Sequence, residues 1–424
     1  MGGDAHRRRH PYPLPDLRPA RDAAAQQVRE EIEKYTENVT MPNHKARRLL
    51  FLFSDTGGGH RSSAHAVAQA LRDMYGERVQ IDLVDFLAHY APWPLNRLGD
   101  IYPHLVRMRG WPWAIGYHLS NGQLRVKLLT QCCWPMVRES LLRILRERPA
   151  DVIISCHPIL NHWFQHTLTK IENETSLITL VTDLNTAHAF WFAPGVSHCI
   201  APTVGAGQCA VASGLPAECI SVTGLPVSSH FITAAQEDPL DVRRGLGLDP
   251  SLPVALLVGG AEGMGPLRRL SQMIADTGLP AQLALVTGRN ERLRKRLTAE
   301  EWPLPVRVEG FVSNMHEWMR AADLLVSKAS PSTVSEALVV GLPIVLSGAL
   351  PGQERPTVDY IVQAGAGIWA PTAKQVATTV RDLLTSDHRK REQMAACAHS
   401  LAQPEAARRV AEIVWTAANK KPTL

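Results

Sequence analysis

One loop gathers residues able to move a proton beside an anion. Ser54-Asp55-Thr56-Gly57-Gly58-Gly59-His60-Arg61 lies between the apolar run Leu49–Phe53 and the alanine-rich segment Ser62–Leu71. The run predicts a buried strand and the segment a helix. Glycines at such a turn let another molecule approach bare backbone, and the first helical amides form an anion or dipole site. His60 closes the loop where the helix begins. Its imidazole is therefore expected in the crevice beyond the strand's carboxyl end, where open α/β sheets bind ligands. Imidazole is the side chain suited to take a proton near neutral pH. The plain alternative is a tight turn with His60 as its cap. The consecutive glycines match neither the spaced dinucleotide fingerprint nor a phosphate loop ending in Gly-Lys-Ser/Thr.

The second half carries complementary chemistry. Val258-Gly259-Gly260-Ala261-Glu262-Gly263-Met264-Gly265 is another strand followed by a glycine turn, whose amides could cradle a diphosphate or simply form an α/β loop. Lys328-Ala329-Ser330-Pro331-Ser332-Thr333-Val334-Ser335-Glu336 is more specific. Lys328 closes a strand, Ser330 suits a helix cap and Pro331 the first helical position. The amides of Ser332 and Thr333 then face an anion at the helix start. Glu336, one turn deeper, is placed to accept two hydroxyl protons from a ribose. Phosphate at the helix end with a sugar diol one turn in is a nucleotide arrangement; the alternative is a capped structural helix with a solvated glutamate. Gln353 and Glu354 follow the next strand on a loop facing the same edge. They suit hydrogen bonds to hexose hydroxyls, or are merely solvated. No D-x-D motif occurs, so a helix dipole and cationic side chains are expected to hold the diphosphate without a metal, and no cofactor is expected.

The elements that must position these groups alternate as strand, glycine turn and helix. Strands are expected at Leu49–Phe53, Val79–Val84, Val152–Ser155, Ser176–Val181 and His198–Ala201. A second set is expected at Val254–Val258, Gln282–Val286, Val306–Glu309, Leu324–Ser327, Ile344–Leu346 and Gly367–Trp369. The alternation predicts two parallel sheets covered by helices, facing one another across a cleft. Expected divisions are a disordered basic segment 1–46 with a helix near 22–35, a first domain 47–224, a second domain 225–403, and a last helix in 404–424 returning to the first domain.

Bulk properties bound the partners. The 424 residues are 45% hydrophobic and 20% charged, a globular mix with net charge +5. That mild excess fits anionic membranes or phosphate-bearing substrates better than nucleic acid. Seven cysteines show no C-x-x-C or zinc spacing, which points to buried thiols in a reducing, cytoplasmic setting. No apolar run reaches the roughly 18 residues of a spanning helix, and no signal core opens the chain. A contact with membrane would be peripheral.

Residues 92–135 suggest where. Trp93, Pro94, Tyr102, Arg107, Trp111 and Trp113 fall here, with Tyr117, Trp134, Arg97, Arg109, Arg125 and Lys127. Aromatic and basic residues together favour a membrane interface with anionic headgroups. The rival is an aromatic helix pair packed in the core.

Taken together, SDTGGGHRSSA, PWPLNRLGDIYP, DVIISCHPI, VTDLNTAHAFWF, VTGLPVSSHF, LVGGAEGMGP, VEGFVSNMHEWM, KASPSTVSEALVVGLPIVLSGALPGQE and QPEAA run in order from about Arg47 to the end. This set resembles the monogalactosyldiacylglycerol synthases and the related processive diacylglycerol glucosyltransferases of glycosyltransferase family 28. The resemblance implies a GT-B fold of two Rossmann-like doubly wound domains. It implies a UDP-sugar on the second domain, diacylglycerol at the membrane on the first, and transfer with inversion to a β-glycosyl lipid. It assigns His60 as general base, Glu336 to ribose, Gln353 and Glu354 to the hexose, Lys328 to the phosphates and Phe311 to uracil. Gly58, Gly59 and the 93–113 aromatic–basic residues fall on the acceptor and membrane side. Three departures bear on the donor: Ser330 and Ser332 replace two family glycines, Arg355-Pro356-Thr357 replaces an A-G-N run, and Asn314 replaces a lysine. Other family-28 lipid acceptors, a nucleotide-sugar epimerase, and a silent lipid-surface scaffold are the competing readings.

Overall fold

A computed structural model describes residues 46–55, 58–97, 99, 111–263 and 265–420. The expectations for residues 1–45, Tyr102, Arg107 and the side chain of Trp111 lie outside the described residues.

β1 (Arg47–Phe53) is buried along nearly its whole length because helices cover both faces of its sheet. Leu50 and Leu52 point to one core; Leu49, Phe51 and Phe53 point to the other. β2 (Val79–Asp85), β3 (Val152–Ser155), β4 (Ser176–Leu180), β5 (His198–Ala201) and β6 (Ile220–Val222) complete a parallel sheet in the order β2-β1-β3-β4-β5-β6. The apolar pattern does not predict β6. It is a three-residue edge strand, Ile-Ser-Val, too short and too exposed to carry a periodic signal.

The second sheet is also parallel. β7 (Val254–Val258), β8 (Gln282–Val286), β9 (Val306–Glu309), β10 (Leu324–Lys328), β11 (Ile344–Gly348) and β12 (Gly367–Trp369) run in the order β12-β11-β10-β7-β8-β9. Each sheet reverses its winding once, between β1 and β3 and between β7 and β10. The loops after β1 and after β7, which hold the two glycine turns, therefore sit at the switch points where such sheets open a crevice.

The helices that shape the cleft and its surroundings are α1 (Gly59–Tyr75), α2 (Trp111–Ser120), α3 (Gln123–Glu147), α4 (Pro158–Lys170), α5 (Pro331–Val340) and α6 (Ala406–Asn419). α1 and α6 cover one face of the first sheet together, with Val67, Leu71, Val410 and Val414 in a shared core. Trp415 of α6 stacks on Tyr75 at 4.3 Å and 15°, and the Arg78 guanidinium lies 5.4 Å over both rings. The chain passes between the lobes twice, and the crossings touch. A β-carbon on Gly224, at φ 96°, would come within 2.3 Å of Gln403, so only glycine fits there.

α2 and α3 leave the first lobe's surface apolar. Leu124 is 79% exposed, Leu119 68% and Leu128 62%, with Ile115 and Met136 beside them. Trp93 is exposed as well, but Trp113 and Trp134 are partly buried, and the Trp134 indole donates to Thr167 Oγ1 at 2.9 Å. Among the described residues, the exposed apolar surface of this segment is thus mainly aliphatic. Among the described residues, no helix is long and apolar enough to cross a membrane.

Val414→Asp would place an unpaired carboxylate in the core that α6 shares with the first sheet. The expected loss is about 3–5 kcal/mol of unfolding free energy, read from the midpoint of a urea titration.

Candidate functional site

A cavity of about 720 Å³ opens between the carboxyl edges of the two sheets. Gly58, Gly59, His60 and Arg61 border it from the loop after β1 and the start of α1, and Thr182 and Asp183 from the loop after β4. The facing wall comes from the loops after β7 to β11, including Gly260, Phe311, Lys328, Gln353 and Glu354. Ser332, Thr333 and Glu336 border it from the first turns of α5.

The amino ends of α1 and α5 meet here. Gly58, at φ 86°, precedes α1 and offers no side-chain cap; Ser330 precedes α5 and its hydroxyl makes no cap bond either. The first-turn amides of a helix have no partner within it, so both ends keep donors for an anion. The approach is close: a β-carbon on Gly59 would lie 2.7 Å from Ser332 Oγ.

His60 sits on the first turn of α1. Its Nδ1 is 2.7 Å from Thr182 Oγ1. Its ring packs edge-on against His157 at 4.9 Å, with Trp191 at 5.8 Å. Burial pulls its pKa down to about 4, and a hydrogen bond with the backbone of Cys156 opposes that only in part. Burial and the neighbouring His60 also hold His157 well below its ordinary value. The imidazole of His60 is therefore neutral at physiological pH and able to accept a proton.

The carboxylates are differentiated by their partners. Burial raises Glu336 to about 8, and the Ser62 hydroxyl of α1, which donates to it across the cleft, acts in the other direction. Glu354 is buried and has both oxygens engaged: Oε1 takes the Lys328 ammonium at 2.6 Å and Oε2 the Leu350 amide at 2.7 Å. Lys328 thus stands at the sheet edge, as expected, but paired. Asp183 accepts from Trp191 Nε1 at 2.7 Å and from Gln353 Nε2 at 2.9 Å. Burial raises its pKa, while these two bonds and one to the backbone of His188 counter the rise.

A charged strip crosses the mouth. Asp55 pairs with Arg61 at 3.2 Å and with Arg289 at 3.4 Å; Arg289 also holds Glu262 at 2.6 Å. The same guanidinium covers the exposed ring of Phe311, 5.2 Å from its centroid.

The second glycine loop departs from expectation. Of its glycines only Gly260 borders the cavity. The amides of Gly259 and Gly263 are spent on Val286 O and Gly260 O, at 3.0 and 3.1 Å, so they are not free to cradle a diphosphate. Gly263 is needed for packing, since a β-carbon there would lie 2.1 Å from Thr287 O. Gly265 borders a different surface hollow, beside Arg268 and Arg269. Trp93, Pro94 and Trp113 do not border the cavity either.

Motif and spacing do not single out Thr182, Asp183, Arg289 or Ser62. For the first two a signal exists: Thr182-Asp183 follows the apolar run Ser176–Val181, so polar side chains end a buried strand just as Lys328 does. Arg289 and Ser62 carry no such mark.

Two family models match the chain. Residues 60–227 match monogalactosyldiacylglycerol (MGDG) synthase, and residues 254–410 match the glycosyltransferase family 28 C-terminal domain. Monogalactosyldiacylglycerol synthase 3, chloroplastic, of Arabidopsis thaliana is 34% identical over 387 residues, 89% of this chain and 83% of its own length. Probable monogalactosyldiacylglycerol synthase 2, chloroplastic, of Oryza sativa subsp. japonica is 35% identical over 371 residues, 85% of this chain and 78% of its own. Among solved structures, Acinetobacter baumannii MurG superposes with TM-score 0.57 at 15% identity, covering 87% of this chain and 99% of that one. UDP-GlcNAc 2-epimerase of Neisseria meningitidis, solved with UDP-GlcNAc bound, gives 0.56 at 12% identity over 87% and 100%. Anabaena HepE, solved with UDP and glucose, gives 0.52 at 15% identity over 88% and 99%. At these identities the likeness is one of fold: two facing doubly wound lobes, the GT-B arrangement.

Acid protonates His60 and removes the base, so a rate that depends on the neutral ring must fall as pH drops through its pKa. The acid limb of kcat/KM, which reports ionisations of the free protein, is expected near pH 4, and not near the 6.5 of a solvated imidazole. A pH profile of kcat/KM, measured at subsaturating substrate, with its midpoint at the higher value would show that the ring is wet.

Proposed function

Because the chain belongs to the monogalactosyldiacylglycerol synthase family, we propose that it transfers a hexose, galactose or glucose, from a UDP-sugar to the hydroxyl of diacylglycerol. His60 takes the hydroxyl proton as the oxygen attacks C1 of the sugar from the face opposite UDP, so the anomeric centre inverts. The observation that carries this reading is the neutral imidazole on the first turn of α1, bordering one cavity with the uncapped amino ends of α1 and α5.

Each remaining group has a task in that step. The amino ends of α1 and α5 stabilise the departing diphosphate, with Lys328 just ahead of α5 on the second lobe's wall. Glu336 takes the ribose hydroxyls, Phe311 lies beside the base, and Gln353 and Glu354 border the hexose. With two helix dipoles supplying positive potential beside the Lys328–Glu354 pair, transfer proceeds without an added divalent cation or cofactor.

The acceptor arrives from a lipid surface. The exposed face of Ile115, Leu119, Leu124 and Leu128, flanked by exposed Arg125 and Lys127, supports peripheral docking on an anionic membrane. All seven cysteines are free thiols, which suits a cytoplasmic enzyme.

Purified protein incubated with diacylglycerol vesicles, chelator and an equal mixture of UDP-galactose and UDP-glucose is expected to yield monohexosyl diacylglycerol by mass spectrometry. His60→Ala is expected to lower kcat about 10²–10⁴-fold while UDP affinity holds; unchanged turnover would remove the base assignment, and product only on a polyprenyl-linked acceptor would replace the acceptor. Leu124→Asp with Leu128→Asp is expected to weaken binding to anionic vesicles at least about tenfold, since each buried leucine is worth about 1.5–3 kcal/mol. UDP affinity in that variant should not change, and vesicle flotation together with UDP titration reads both.

A further inference from the structure

One dipeptide links the base to the opposite lobe. Thr182 holds His60 Nδ1 at 2.7 Å, and its neighbour Asp183 reaches across the cleft to Gln353 at 2.9 Å. Asp183 is buried, and its second oxygen is occupied by the Trp191 indole at 2.7 Å. An ionised carboxylate only accepts hydrogen bonds. The Gln353 amide is oriented accordingly: its nitrogen donates to Asp183 Oδ1. Its carbonyl oxygen Oε1 is left buried and without a hydrogen-bond partner, on a side chain that borders the cavity. A buried, unpaired polar atom beside a cavity points to a ligand group that completes it. An amide carbonyl is completed by a hydroxyl or an N–H donor.

We propose that Asp183 is a positioning residue for the donor sugar: by capturing the Gln353 nitrogen from the opposite lobe, it leaves the Gln353 carbonyl as an acceptor for a hexose hydroxyl. This rests on the reading that the cavity takes a UDP-hexose. It adds that sugar recognition on the second lobe is set by a residue of the first, so the hexose site is complete only when the lobes are joined.

The polarity of the pair makes a test in which rescue is possible. In Asp183→Asn the new carbonyl still accepts from Trp191, and the new amide nitrogen faces Gln353. Gln353 must then turn its oxygen toward Asn and offer nitrogen to the ligand. In Gln353→Glu two carboxylates confront each other. In the double variant the Asn nitrogen donates to the Glu carboxylate, whose second oxygen restores an acceptor, and the pair keeps its original net charge of one negative.

Calorimetric titration of the full chain with UDP, UDP-galactose and UDP-glucose reads the outcome. Each single variant is expected to weaken binding of the UDP-hexose the wild type prefers about tenfold, the worth of one hydrogen bond, and to leave UDP affinity unchanged. The double variant is expected to return to within about threefold of wild type. Gln353→Met, which keeps the chain length and removes both polar ends without touching Asp183, is expected to show the same selective loss and keeps the test open should Asp183→Asn not fold. The proposal is overturned if UDP loses affinity in step with UDP-hexose, if the double variant is no better than the worse single, or if Gln353→Met binds UDP-hexose like wild type. Wild-type protein that binds UDP-hexose yet glycosylates no diacylglycerol would overturn the acceptor reading alone. Wild-type protein with no affinity for UDP-hexose would overturn both.

Discussion

Two helices of like polarity meet at one point, and the cleft is organised around that encounter. Each helix amino end carries roughly half a positive charge, and here neither α1 nor α5 is capped by a side chain. Gly59 lets Ser332 come within a distance that any β-carbon would forbid. Holding two positive ends together is unfavourable until something negative fills the gap. The site is thus ready for an anion before one arrives, and needs little rearrangement to receive it.

The electrostatics around this point are divided between the lobes. The first lobe supplies an imidazole, His60, kept neutral by burial among His157 and Trp191. The second supplies the donors, the paired Lys328 and the buried Glu354. Side-chain ties connect them: Asp55 with Arg289, Ser62 with Glu336, and Asp183 with Gln353. The first is an exposed ion pair, worth little by itself. The last is part-buried and fixes which end of an amide is left over. Weak ties of this kind suit two lobes that must be aligned and still admit a nucleotide and a lipid.

Much of this is legible in the order of residues. Lys328 closes a strand, His60 and Glu336 lie in the first two turns of the helix that follows one, and a buried parallel strand announces itself as a short apolar run. Once the runs are placed, the edge on which those side chains stand is fixed. The order of the matching segments also points to two facing lobes. The second glycine loop misleads. Glycine there answers the contact of Gly263 with Thr287 O as well as any ligand, and composition cannot separate a free amide from one bound to Val286. The tryptophans of 92–135 divide: Trp93 is exposed, whereas Trp134 is held by Thr167, and exposed aliphatic side chains such as Leu124 and Leu128 carry no aromatic mark in the sequence.

The chain's local pattern determined the strands, the turns and the residue types at each sheet edge, because those depend on neighbours within a turn or two. Tertiary structure alone decided that His60 rests on Thr182, 122 positions away, and Gln353 on Asp183, 170 positions away. Pairings at that separation depend on how two independently wound sheets face each other, and no local preference encodes that geometry. The neutrality of His60 belongs with them, since it arises from what is packed around the ring rather than from the ring itself.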